Sequence, residues 1–164
     1  MGSSARKSSL SVLGLATAVA LLVAAPLALA VDRTEYKAQV EPICKQNAET
    51  SASILKGVKG QVQQGKLVPA GGRFVRASGA LGKAVTQIAA VEQPPEDTAK
   101  LDKWIGYLKE EKSFLQKIGQ ALKAENKGKA SQYAVKLNQS NRRANNTVIS
   151  FGFNHCRIDS SKFL

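Results

Sequence analysis

The sequence has few of the residues from which enzymes assemble a nucleophilic or acid–base site. Its 164 residues include one histidine, His155, and two cysteines, Cys44 and Cys156. Nucleophilic catalysis usually needs a serine or cysteine beside a base. Here the one histidine is adjacent to a cysteine that a disulfide would consume. We therefore expect a protein without catalytic activity.

Acidic residues are also scarce, with 12 Asp and Glu against 24 Lys and Arg. Glu110 and Glu111 are sequence neighbours that project in different directions from a helix. Glu92, Glu96 and Asp97 cluster around a proline turn. This distribution favours helix capping and solvation for these carboxylates over a catalytic pair.

Ligand sets for metals and cofactors are missing in the same way. His155 and Cys156 are adjacent, and no second pair stands at metal-ligand spacing, so neither a metal nor another cofactor is expected. No segment shows the two-residue alternation of a strand, which excludes a phosphate-binding loop between a strand and a helix. The few aromatic residues lie on predicted core positions, apart from the basic ones, and this argues against specific nucleic-acid recognition.

Residues 1–30 have the three parts of a signal peptide. Two basic residues, Arg6 and Lys7, precede an apolar stretch from Leu10 to Leu27, and Ala28–Ala30 form a small-x-small cleavage site. We expect cleavage after Ala30, with an uncleaved anchor over residues 10–30 as the alternative. The exported part, residues 31–164, would be a single domain with a net charge of +10 at the cell envelope or outside the cell.

An exported chain with two cysteines is expected to form a disulfide, here between Cys44 and Cys156. The bridge would close a loop over most of residues 31–164. In the chain-entropy model such a loop stabilises the fold by roughly 4–5 kcal/mol. The alternative is a pair of unpaired, buried thiols.

Four segments carry the three- and four-residue spacing of amphipathic helices. The first is predicted from Thr34 to about Gln64, with Asp32 as its cap. Pro42 either kinks this helix or starts its main part, and we favour the kink. The other apolar lines run over residues 74–91, 101–122 and 130–151; Asp97 or Thr98 caps the third helix, and Gly152 follows the fourth.

Short connections between these segments predict an all-α, up-down-up-down four-helix bundle. This topology brings the first helix beside the last and lets the disulfide join the first helix to the tail after the fourth. The second helix contains Ser78, Gly79 and Gly82, which lower its helix propensity. We expect a neighbouring helix to approach closely at these small residues.

Basic residues form stripes on three of the predicted helices. If those helices are neighbours, the stripes merge into one surface for anionic envelope polymers or lipid head groups. The other interpretation is a solvated face that keeps the protein soluble. The residues are Lys37, Lys45, Lys56, Lys59, Lys66, Arg73, Arg76, Lys83, Lys129, Lys136 and Arg143.

Asparagines form a second polar feature, with Asn47 on the first helix and Asn138, Asn141 and Asn145 on the fourth. Buried amides that hydrogen-bond between helices fix their register, and this is the favoured interpretation. The functional alternative is a small polar pocket between these two helices.

Several residues together resemble a known group of proteins. They are Tyr36, Ile43 and Cys44, the Pro94–Pro95 pair opening a long helix that contains Leu108, and Gly152 shortly before Cys156. The pattern resembles the small exported or membrane-tethered helical proteins of high-GC Gram-positive bacteria that carry no assigned function. The resemblance implies no active site.

The leading functional hypothesis is therefore a non-catalytic binding or structural module at the cell envelope that contacts anionic material through its basic helices. The alternative is a carrier of a small apolar or cofactor ligand in the bundle core.

Overall fold

The computed structural model describes residues 31–159, which contain helices and no strands, so the predicted all-α class is confirmed. The leader and its cleavage site lie outside the described residues. Within residues 31–159, no helix has the length and apolar character needed to cross a membrane. The helices are α1 (Arg33–Leu55), α2 (Val58–Gln63), α3 (Leu67–Ala89), α4 (Thr98–Lys123) and α5 (Lys127–Thr147), with 3-10 turns at Pro95–Asp97 and Ile149–Phe151.

Helix α1 begins where the sequence predicts. The Asp32 side chain accepts a 2.8 Å hydrogen bond from the backbone N–H of Glu35 and caps the first turn. The helix then runs without interruption through Pro42. The alternative in which Pro42 starts the main helix is therefore wrong.

The predicted first helix is divided into two, which corrects its expected end at Gln64. Gly57 adopts a left-handed conformation with φ of 75° and separates α1 from α2. Arg73 of α3 donates hydrogen bonds to the carbonyls of Ile54 and Lys56, at 3.3 and 2.6 Å. Because α1 ends here, these carbonyl groups have no hydrogen-bond partner within the helix. Arg73 therefore stabilises the interruption between α1 and α2.

The long helices pack in the order α1, α3, α4, α5. Contacts between α3 and α4 join opposite ends, with Gly71 against Gly119 and Ser78 against Lys112, as in antiparallel neighbours. The complete up-down-up-down order stays a prediction. No comparable packing joins α1 to α5 in the described part of the chain, and this differs from the expected placement of the first helix beside the last.

Two glycines allow α3 and α4 to touch through their backbones. A Cβ atom added to Gly71 would lie 2.5 Å from the Gly119 carbonyl oxygen, and one added to Gly119 would lie 2.7 Å from the Gly71 carbonyl oxygen. The closest approach therefore lies near the beginning of α3 and not at Gly79, where an added Cβ atom meets no atom within 4 Å. At Gly82 an added Cβ atom would lie 3.2 Å from the Lys112 side chain of α4. Buried Ser78 does contact α4 and donates a 3.0 Å hydrogen bond to the Lys112 carbonyl.

We expect Gly71→Ala to lower the free energy of unfolding by about 1–3 kcal/mol, because the methyl group forces two packed backbones apart. Gly79→Ala is the matched control in the same helix. It should raise stability by about 0.5–1 kcal/mol through helix propensity alone. Urea unfolding followed by circular dichroism measures both changes, and equal effects of the two variants would contradict the close contact.

The disulfide predicted between Cys44 and Cys156 is present, with the two Cα atoms 4.9 Å apart. Beside it, buried Trp104 of α4 stacks on Phe153 with the ring centroids 5.5 Å apart. Phe153 stacks in turn on Phe151 at the same separation. This group of residues is called the bridged end below.

The last predicted helix ends earlier than its apolar pattern indicates. Helix α5 stops at Thr147, and Phe151 belongs to a separate 3-10 turn. Gly152 follows that turn in a left-handed conformation with φ of 60°. The prediction that a glycine ends this segment is thus confirmed for the turn, although the α-helix itself is shorter.

Asp97 occupies the N-cap position of α4, as predicted, but its side chain makes no capping hydrogen bond and is buried, which corrects the expectation that it is solvated. Its carboxylate is 2% exposed and pairs with Arg33, with 2.7 Å between Oδ1 and Nη2, while Lys100 lies 3.6 Å away. The hydrogen bond to Arg33 lowers the pKa of Asp97. The pair joins the beginning of α1 to the beginning of α4.

Candidate functional site

The gap between α1 and α5 is a cavity of about 330 Å³. Helices α3 and α4 form its inner wall, and the tail, residues 153–159, contributes to its rim. This volume falls within the range of small-molecule pockets. The wall is mostly apolar and includes Leu55, Phe74, Ala77, Leu81, Leu115 and Leu137.

Two buried polar side chains, Glu111 of α4 and Asn141 of α5, interrupt this apolar lining. They are 1% and 4% exposed. Neither carboxyl oxygen of Glu111, nor the oxygen or nitrogen of the Asn141 amide, has a hydrogen-bond partner within residues 31–159. Buried polar atoms in folded proteins are nearly always hydrogen-bonded, so four unpaired atoms in one cavity are unusual.

Burial raises the pKa of Glu111 to about 8. The Asn141 amide is near enough to lower the pKa in part, although no hydrogen bond of normal geometry joins the two side chains, and the charge of Glu110 raises it. At neutral pH the Glu111 carboxyl is therefore mainly protonated.

Helical spacing places both polar groups on inward-facing lines. Glu111 lies between Leu108 and Leu115, at steps of three and four residues along the apolar line of α4. Asn141 follows Leu137 by four residues on the corresponding line of α5. The interpretation of Glu111 as a solvated carboxylate is wrong, and its position on the apolar line was the signal that identifies it as buried.

The four asparagines selected from the sequence are divided between two places. Asn47 of α1 lines the same cavity as Asn141 and accepts a hydrogen bond from Ser51 at 3.5 Å. Asn138 and Asn145 line a second recess beside the tail, and Asn141 lines this recess as well. The functional alternative of a polar pocket between the first and last helices thus corresponds to Asn47 and Asn141.

Asn145 binds the tail and not another helix, which corrects its expected role in an interhelical pair. Its amide donates a 2.8 Å hydrogen bond to the Ile158 carbonyl and accepts one of 3.1 Å from the Ile158 N–H. Glu41 of α1 accepts hydrogen bonds from the backbone N–H groups of Asn154 and His155. Together with the disulfide, these contacts hold the tail at the rim of the cavity.

The predicted basic residues lie on α1, α2, α3 and α5 and in the loops between helices, and the single basic surface stays a prediction. Arg76 and Lys83 line a groove between α1 and α3. On α5, by contrast, the guanidinium of Arg143 lies 6.0 Å from the ring centre of Tyr107 in α4. Among the described helices, α5 itself packs on α4 and makes no comparable contact with α1 or α3.

Two of the basic residues hold the fold together. Lys37 donates a 2.5 Å hydrogen bond to the Gly152 carbonyl, and Arg73 binds the end of α1 as described above. The remaining members of the predicted set, on α1, α2 and α5, in the break between α1 and α2 and in the loop before α3, are exposed. They are Lys45, Lys56, Lys59, Lys66, Lys129 and Lys136.

Comparison with protein-family models, curated proteins and solved structures gave no significant match. In the described range, no three side chains of His, Cys, Asp or Glu are grouped so that they would hold a metal ion. The resemblance to exported bacterial helical proteins stays a prediction. In the described residues, the cavity and its two buried polar groups, Glu111 and Asn141, are the features that indicate a function.

Proposed function

We propose that the protein is an exported, non-catalytic module that binds one small, largely apolar molecule in the cavity between α1 and α5. One observation carries this proposal. A buried carboxyl and a buried amide face an apolar cavity of about 330 Å³ with their hydrogen-bonding atoms unpaired. A bound molecule with a matching polar group would satisfy these atoms.

The two kinds of lining residue would have different roles in binding. Apolar contact contributes affinity, at roughly 25 cal/mol for each Å² removed from water. The polar pair, Glu111 and Asn141, selects the ligand and orients it, since a buried polar atom without a partner costs roughly 1–3 kcal/mol. This carrier function was the alternative interpretation of the sequence.

The cavity supports this function better than the basic residues support contact with anionic envelope material. Arg76 and Lys83 lie between α1 and α3, whereas Arg143 lies toward α4. Their charges are thus spread over separate faces, and attraction between exposed charges weakens beyond about 8 Å at physiological salt. Binding of anionic polymers or lipid head groups stays a prediction.

The test uses the uncharged fluorescent probe N-phenyl-1-naphthylamine. We expect saturable binding to the wild-type protein and at least a tenfold loss of affinity in Ala52→Trp, because Ala52 lines the cavity from α1 and an indole there would fill it. Ala38→Trp is the matched control, since Ala38 is exposed on the same helix outside the cavity lining. Absence of probe binding to the wild type, or equal binding by both variants, would refute the proposal.

A further inference from the structure

We infer that the ligand of this cavity carries a protonated amine, which forms an ion pair with Glu111 and donates a hydrogen bond to Asn141. The inference rests on the binding function proposed above and adds the chemical class of the ligand. The expected molecule is an alkyl- or arylalkylamine, with its ammonium group at Glu111 and its apolar part against the leucine-rich wall.

When the Glu111 carboxyl is ionised, the unpaired atoms in the cavity are mostly acceptors. They comprise Oε1 and Oε2 of Glu111 and Oδ1 of Asn141, together with a single donor nitrogen, Nδ2 of Asn141. An ammonium group has three N–H donors and no acceptor, so it matches three oxygens. A hydroxyl group has one donor, and a carboxylate has none and would also face a second carboxyl group.

The electrostatics of the cavity lead to the same ligand class. Buried carboxylates in proteins are normally paired with a cation, and none of the described Lys, Arg or His side chains hydrogen-bonds to Glu111. Once Glu111 loses its proton, it can thus provide the anionic half of a buried ion pair. A cationic ligand would supply the other half and favour the ionised carboxylate.

The rim does not select a charge by itself. Glu49 of α1 and Asp159 of the tail are acidic, whereas Arg157 of the tail is basic. Both signs are therefore present where a ligand enters. The preference for an amine over an acid must therefore come from Glu111 and Asn141 inside the cavity.

The experiment measures displacement of N-phenyl-1-naphthylamine at pH 7 by three ligands of equal chain length: octylamine, octanol and octanoate. We expect octylamine to displace the probe at a concentration at least tenfold lower than octanol, with octanoate the weakest. If octylamine is no better than octanol on the wild-type protein, the inference is wrong. Failure of the probe itself to bind would refute the proposed function instead.

Two variants test whether the preference for octylamine depends on the Glu111 carboxyl group. Glu111→Gln keeps the size of the side chain, so we expect it to retain probe and octanol binding within about threefold while losing the preference for the amine. Glu110→Gln is the control, since Glu110 is exposed and accepts a hydrogen bond from Ser140. A preference that persists in Glu111→Gln would overturn the inference even if octylamine binds well.

Calorimetry gives a second readout that does not depend on the probe. Since the Glu111 carboxyl is mainly protonated at pH 7, capture of an ammonium ion should release about one proton to the buffer. The binding enthalpy of octylamine should therefore differ between phosphate and Tris buffers for the wild type and not for Glu111→Gln. Equal enthalpies for the wild type in both buffers would contradict an ion pair with Glu111.

Discussion

Replacing both Cys44 and Cys156 by alanine is expected to lower the free energy of unfolding by about 4–5 kcal/mol. The bridge joins residues separated by 112 positions, so its loss gives the unfolded chain much more conformational freedom. It also releases one of the three attachments that hold the tail at the cavity. Urea or guanidinium unfolding of the double variant against the oxidised wild type measures the effect.

The reduced wild type is the control for the disulfide. The reduced protein has lost the bridge but keeps both sulfur atoms. The difference in free energy of unfolding between it and the double variant therefore gives the cost of the missing side-chain volume. A loss of less than about 1 kcal/mol in the reduced protein would contradict the stabilising role of the bridge.

Glu111→Gln is expected to abolish a large part of the pH dependence of stability. In the folded protein the pKa of Glu111 is about 8, against 4.5 as its ordinary value. Between these values the unfolded chain has lost this proton and the folded protein keeps it. The free energy of unfolding of the wild type should therefore fall as pH rises from about 5 to 8, by about 3–4 kcal/mol from this group alone.

The glutamine variant has no proton to lose at this position, so its free energy of unfolding should vary much less over the same range. It should also exceed that of the wild type at pH 8. Other titrating groups affect both proteins equally, and Glu110→Gln controls for removal of a neighbouring charge. Parallel curves of stability against pH for the wild type and Glu111→Gln would show that Glu111 is not buried as described.

The elements that follow from local sequence patterns were predicted well. The spacing of apolar residues gave the four long helices, and Asp32 caps the first of them as expected. The disulfide followed from the number of cysteines and the character of the leader. These features depend on residues close together in the chain or on a single possible pairing.

Features that depend on how the helices meet were not predictable in the same way. Gly57 breaks the first helix but preserves the apolar spacing between Ile54 and Val58, so the pattern gives no sign of the break. The close contact of α3 with α4 needs Gly71 and Gly119 to face each other, and these residues are distant in the chain. Their pairing depends on the register between two helices.

Of the two buried polar residues in the candidate site, the sequence pattern identified Asn141 but not Glu111. Asn47 and Asn141 were candidates because an amide side chain on the apolar face of a helix needs a hydrogen-bond partner. Glu111 occupies the same kind of position, but its neighbour Glu110 made the pair look like an ordinary solvated acidic patch. The cavity itself arises because α1 and α5 do not pack against each other, which only the three-dimensional arrangement shows.

Trp104 is the single tryptophan of the chain, and it lies buried at the bridged end, outside the lining of the cavity between α1 and α5. Its intrinsic emission is therefore a label-free signal from one half of the molecule. Far-ultraviolet dichroism, in contrast, averages over every helix. Comparing the two optical signals during melting distinguishes loosening of the bridged end from loss of helices elsewhere.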